Sequence, residues 1–188
     1  MTHYRTRFSS NLLSILAAFA LALFTLTPTA AAQEGTKPLA HPQDVASVDS
    51  IMAAIYDVIS GPAGEERDWE RFHDLFIDGA RLIPRSPGAP TGVVVFSPDD
   101  YVERVDEIFL RDGFFEAEIG RKTERYGDIV HVLSAYESKR NADDPEPFAR
   151  GVNSFQLLNH NDRWWIVTIY WQGETEDNPI PADLLGEG

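Results

Sequence analysis

The sequence predicts an α+β fold, with helices packed on an antiparallel sheet, from three observations. Apolar residues recur at three and four through the first part of the domain, the mark of amphipathic helices. From Gly113 onward the chain turns to long β-rich segments joined by short polar turns. Helices first and strands last is the order of an α+β domain. The third observation is the last of those segments, Trp164–Gln172. Trp164, Ile166 and Tyr170 fall on one face and Trp165, Val167, Ile169 and Trp171 on the other, so both faces are apolar. An antiparallel sheet wet on one side alternates apolar and polar residues. Something therefore covers both faces; helices cover one, and a second subunit is the economical cover for the other, so a homodimer through the sheet is expected.

The elements follow in order. Val45, Val48, Ile51, Met52, Ile55 and Ile59 make one stripe, with Asp44 or Ser47 as its cap and Gly61-Pro62 as its end. A second helix begins at the cap Asp68 and carries Trp69, Phe72, Leu75 and Phe76 inward until Gly79 stops it. Arg81–Pro84 and Gly92–Phe96 read as short strands around the Pro- and Gly-rich loop 86–92. Ser97 caps a third helix with Pro98 in its first turn, and Gly113 ends it. Four strands follow, over 114–124, 129–139, 151–158 and 164–172.

Residues 1–32 form an export signal. His3, Arg5 and Arg7 precede the apolar run Leu12–Leu26, and Ala30 and Ala32 provide the small-x-small site, so cleavage is expected between Ala32 and Gln33. The run is shorter than the roughly 20 residues of a membrane-spanning helix. The expected organisation is a signal over 1–32, a flexible lead-in over 33–43, one domain over 44–174 and a loose acidic tail over 175–188. The product is periplasmic or secreted, with no membrane attachment after cleavage.

The 188 residues carry 16 Lys and Arg against 30 Asp and Glu, a net charge of −14, and no Cys. That balance excludes nucleic acid, whose phosphates need a basic patch. Lack of Cys removes disulfides, thiol nucleophiles and thiolate metal sites. His41, His73, His131 and His160 show no metal-ligand spacing, and no phosphate-cradling Gly loop is present, so neither metal nor cofactor is expected.

Trp69-Glu70-Arg71-Phe72-His73-Asp74-Leu75-Phe76 resembles the second helix of the nuclear transport factor 2-like (SnoaL-like) superfamily. Tyr101-Val102-Glu103-Arg104 resembles its third helix, and Phe148–Leu157 with Asp162–Val167 resemble its final strands. The likeness covers roughly 44–174 and runs closest to uncharacterised exported bacterial members. It implies a cone-shaped fold, with three N-terminal helices on a curved antiparallel sheet. The superfamily holds isomerases, dehydratases, hydrolases, carriers and non-catalytic dimer modules, so fold alone does not select an activity.

The function expected is binding of a small apolar or aromatic molecule in the cone. A cofactor-free acid/base enzyme and a non-catalytic dimerisation module are the alternatives. His73 is the candidate catalytic group, a neutral-pH base four residues after Trp69 and three before Phe76, on the side of the helix that meets the sheet. Trp69, His73, Tyr136 and Asn153 are the expected ligand contacts. Glu116 and Glu118 share a strand face, where carboxylates in a closed pocket could do acid/base work; their alternation with Phe115, Ala117 and Ile119 is that of a half-exposed strand and favours solvent. His131 lies on the face opposite Tyr136 and reads as a satisfied structural residue.

Overall fold

The computed structural model describes residues 41–85 and 93–186. The expected signal over 1–32, the expected lead-in as far as residue 40 and the expected loop 86–92 lie outside the described residues. A 3-10 turn over Pro42–Val45 leads into α1 (Val48–Ile59). Of the two expected caps it is Ser47 that acts, its Oγ accepting from the Ser50 N–H at 3.0 Å. Asp44 instead receives the Arg71 guanidinium at 2.7 Å, which ties this turn to the next helix.

That next helix, α2 (Trp69–His73), is only five residues long. The chain then enters β1 (Phe76–Pro84), where the sequence pattern had suggested helix as far as Gly79. The sheet overrides the local pattern. Leu75 carbonyl accepts from Ile166 N–H, and Arg81–Pro84 pair in parallel with Thr168–Trp171. Gly79, at φ 77°, takes the left-handed conformation inside the irregularity between the two paired stretches. Residues 93–96 contribute only a single bridge, Leu82 with Phe96, in place of the short strand expected there.

The third helix, α3 (Pro98–Asp112), follows the sequence reading closely. Ser97 and Asp100 form a reciprocal capping box, Pro98 sits in the first turn, and Gly113 at φ 70° closes the helix. Strands β2 (Phe115–Tyr126), β3 (Ile129–Lys139), β4 (Ala149–His160) and β5 (Arg163–Gly173) run antiparallel in succession, and β1 joins the edge of β5. The sheet order is β1-β5-β4-β3-β2. Asn161 and Asp162, both with positive φ, make the two-residue turn between β4 and β5, the geometry that suits the strands' twist. Irregularities at Glu118/Gly120 and Gln156/Leu157 bend the strands and curve the sheet around the helices.

The main core fills that concave face. Val130, Val132, Phe155 and Ile166 from the sheet meet Ile51, Met52, Ile55 and Phe72 from the helices, all nearly or fully removed from water. Ala135, Leu133 and Val152 face the other way and are covered by Ile180, Leu184 and Leu185. The cover is the chain's own C-terminal segment as far as Leu185, which is packed on the sheet where a loose acidic tail over 175–188 was expected. Glu174 holds the segment, accepting from the Ile180 N–H at 2.8 Å and pairing with Arg150 at 3.1 Å. A 3-10 turn over Ala182–Leu184 then seats on Gly120, whose missing Cβ leaves room for the Leu184 carbonyl and for Leu185 Cα. A few apolar residues in an otherwise acidic stretch suffice, because they meet a preformed apolar surface. Over this part of the back face, the two-sided apolar pattern does not require a partner subunit.

Candidate functional site: a cavity between helices and sheet

A cavity of about 280 Å³ lies between the helices and the concave face of the sheet. Ile55 and Ile59 of α1, Val105 and Phe109 of α3, and Phe155 and Ile169 of the sheet give it an apolar wall. Phe148, 50% exposed and the one exposed residue of the lining, marks its mouth. Phe109 and Phe114 stack at 4.2 Å beside the mouth, and the Arg140 guanidinium lies 4.3 Å from the Phe148 ring centre. Deeper in, Tyr101 meets Trp171 edge-to-face at 6.4 Å.

One carboxyl enters this space. Glu116 pairs with Ser138 across the β2–β3 ladder, and its Oε2 accepts from Ser138 Oγ at 3.0 Å. Its Oε1 accepts from Asn153 Nδ2 at 3.3 Å. Burial pushes the carboxyl up from 4.5 to about 7, and these two neutral donors only partly offset the loss of water. Tyr136, also on β3, is pushed up to about 12, first by burial and then by the Glu116 charge. Burial, with Glu116 next, also raises Tyr56 and Tyr101 well above the ordinary phenol value. Gly151 lies directly across from Tyr136 and lacks the Cβ that would stand 2.6 Å from the phenol oxygen.

The polar groups continue away from the cavity. Asn153 Nδ2 also donates to Tyr56 Oη at 3.1 Å, and Tyr56 bonds Ser134 Oγ at 2.7 Å. Ser134 donates to Glu118, whose other oxygen receives Arg121 Nε at 2.7 Å. Arg121 reaches Asp49 at the surface, 2.6 Å away. Each buried member has a partner, as a polar chain through a core requires.

Of the four expected contacts, Tyr136 and Asn153 line the cavity and Trp69 and His73 do not. Trp69 packs between Phe72 and Phe109 and donates Nε1–H to Asp106 at 2.7 Å, so it joins α2 to α3. His73 bonds the Trp69 carbonyl through Nδ1, and its Nε2 lies 2.8 Å from Asp99 Oδ1. The physical reason is the length of α2. The helix ends at His73, so Phe76 already belongs to β1, and the helical spacing that placed both on one side does not exist.

The acid that sequence reasoning assigned to solvent, Glu116, is the one inside. Its strand has two covered faces: Ile119 packs against the tail while Glu116 faces the helices. The available signal was the ladder itself, since Glu116 falls opposite Ser138 and Glu118 opposite Tyr136. His131 is on the back face, bonded to Ser154 Oγ at 2.9 Å. A wider groove of about 550 Å³ also opens there, between the tail and the ends of β1 and β5. Its charged groups are Arg85 and Glu174, and Glu174 is already engaged by Arg150 and the Ile180 N–H. The chemistry converges in the inner cavity.

No family model matches the chain, and no curated protein matches it. Solved structures do. A protein of unknown function with a cystatin-like fold from Nostoc punctiforme superposes with a TM-score of 0.53 at 11% identity, covering 69% of this chain and 90% of that one. A nuclear transport factor 2-like protein of unknown function from Pseudomonas putida gives 0.52 at 9% identity, covering 71% and 90%. A putative Ca/calmodulin-dependent kinase II association domain from Exiguobacterium sibiricum gives 0.50 at 15% identity, covering 75% and 98%. At such identities likeness speaks for architecture alone. The five-stranded curved sheet with its helices on the concave side has the nuclear transport factor 2-like fold.

Proposed function

We propose that this domain binds a small, largely apolar molecule in the inner cavity, with Glu116, Asn153 and Tyr136 as its polar contacts. The observation that carries the reading is the cavity itself: an apolar space of about 280 Å³ into which a titratable carboxyl and several phenols converge. A domain that used its fold only for dimerisation has no need of an unfilled core or of a carboxyl held there at a cost in desolvation. Mostly apolar walls with a few placed polar groups are the usual make-up of a small-molecule site. The test is binding of a neutral solvatochromic dye such as Nile red to the wild type and to Val105→Trp, which fills the cavity from α3. Saturable binding lost in the Trp variant supports the reading; equal binding by both refutes it.

A second reading, acid/base catalysis, is favoured by one observation. A carboxyl near pH 7 suits proton transfer at neutral pH, and Tyr136 stands close enough to feel its charge. It needs no metal or cofactor. Turnover lost in Glu116→Gln while binding is kept is the outcome that separates catalysis from carriage. We place the mature protein in the periplasm or outside the cell, on the strength of the signal pattern in residues 1–32.

A further inference from the structure

We propose that the molecule held in the cavity is an organic cation, an amine or quaternary ammonium on an apolar or aromatic body, and that Glu116 is its counter-ion. This names the ligand class for the site proposed above and rests on that binding reading. Among the described residues no ion pair reaches Glu116; its two partners are the neutral donors Ser138 and Asn153. The cations of neighbouring segments are engaged elsewhere. Lys139 pairs with Glu137 at 3.3 Å, Arg121 with Glu118, and Arg140 lies over Phe148. A buried carboxylate without a counter-charge is costly, and a ligand cation supplies what the protein withholds.

The rest of the cavity suits the same ligand. Phe109, Phe114, Phe148, Phe155 and Trp171 contribute aromatic surface, and ring faces attract ammonium groups once water is excluded. The Tyr56, Tyr101 and Tyr136 hydroxyls, held neutral, add dipoles but no competing positive charge. The chain's net charge of −14 draws cations towards it and repels anions. A carboxylate ligand would meet the acidic field and then Glu116, and among the described residues no cation lines the cavity to receive it.

The class has a proton signature. In the free protein Glu116 is partly protonated near pH 7, and the groups facing it are Tyr56 from α1, Tyr101 from α3 and Tyr136 from β3, all neutral there. An ammonium beside Glu116 favours its ionised form, so binding at pH 6 to 7 releases a proton; an uncharged ligand that removes water favours the acid and takes one up.

The experiment compares 4-phenylbutylamine, 4-phenylbutan-1-ol and 4-phenylbutyrate by calorimetry. Titrations run at pH 8 for affinity, and at pH 6.5 in two buffers of different ionisation enthalpy for proton exchange. The expected result is an amine at least ten-fold tighter than the alcohol, proton release with the amine, and loss of the preference for amine over alcohol in Glu116→Gln. Alcohol or carboxylate binding as tightly as the amine overturns the ligand class while leaving the cavity reading in place. Failure of all three probes, together with failure of the neutral dye, overturns the cavity reading itself. Should Glu116→Gln not fold, the sign of proton exchange in the wild type still decides.

Discussion

Asn153 Nδ2 stands between Glu116 Oε1, 3.3 Å away, and Tyr56 Oη, 3.1 Å away. It thereby joins the carboxyl in the cavity to a polar chain that ends at a surface ion pair. Asn153 can donate in both directions because its amide carries two hydrogens, and Tyr56 is then free to donate onward to Ser134. The orientation of the cavity's polar end is set from outside it, by Glu118 and Arg121.

Glu116 gives the fold a pH dependence whose sign is fixed. Its value in the folded protein lies above the unfolded one, so the folded state holds the proton more tightly between the two. Stability from this group is complete below about pH 4.5, declines as pH rises towards about 7, and stays reduced above that. The difference amounts to roughly 3 kcal/mol. Glu116→Gln removes the dependence, so urea unfolding at pH 4.5 and pH 8.5 is expected to show the variant gaining on the wild type at the higher pH. An unchanged gap between the two proteins would mean that the carboxyl is solvated.

Tyr56→Phe breaks the polar chain at its centre and leaves both Ser134 and Asn153 short of a partner. A loss of about 1–3 kcal/mol is expected in denaturant unfolding, the usual cost of buried polar groups left unpaired. Neutral behaviour of the variant would show that water already bridges the chain.

Tail docking is tested at Gly120. Gly120→Ala places a methyl against the Leu184 carbonyl and Leu185 Cα, so backbone must move rather than a side-chain end. The expectation is a loss of about 1–3 kcal/mol and faster amide exchange over residues 180–185. Protection of those amides equal to wild type would contradict the packing of this segment on the sheet.

His73→Ala is expected to leave dye and amine binding unchanged, because the ring lies outside the cavity. Its pairing with the exposed Asp99 contributes no more than about 1 kcal/mol. A drop in affinity of ten-fold or more would restore the role that the sequence pattern suggested for it.

Export is checked by intact-mass analysis of the protein recovered outside the cytoplasm, which is expected to begin at Gln33. A product that keeps residues 1–32 contradicts the signal.

Local chemistry made much of the fold legible. The Ser97 cap, Pro98 in the first turn and the Gly113 stop act over a few residues, and each took the form its residues suggested. The short α2 and the parallel β1 were hidden, because Leu75 and Phe76 fit a helical stripe as well as a strand, and only pairing with β5 decides between them. That error carried His73 into the site. Glu116 was hidden by a different ambiguity. Alternation tells which residues share a face, not which face is buried, and the tail that covers the Ile119 side is distant in sequence. Tyr136 and Asn153 were legible as polar groups on apolar strands, which need a buried partner or a cavity.

The most direct test of cavity binding is a methyl-resolved NMR titration of the protein with 4-phenylbutylamine. The account predicts saturable shifts at Ile55, Ile59, Val105 and Ile169, which line the inner cavity, with Val152 and Ile180 of the back groove unmoved. Shifts confined to Val152 and Ile180, with the inner methyls silent, would contradict it.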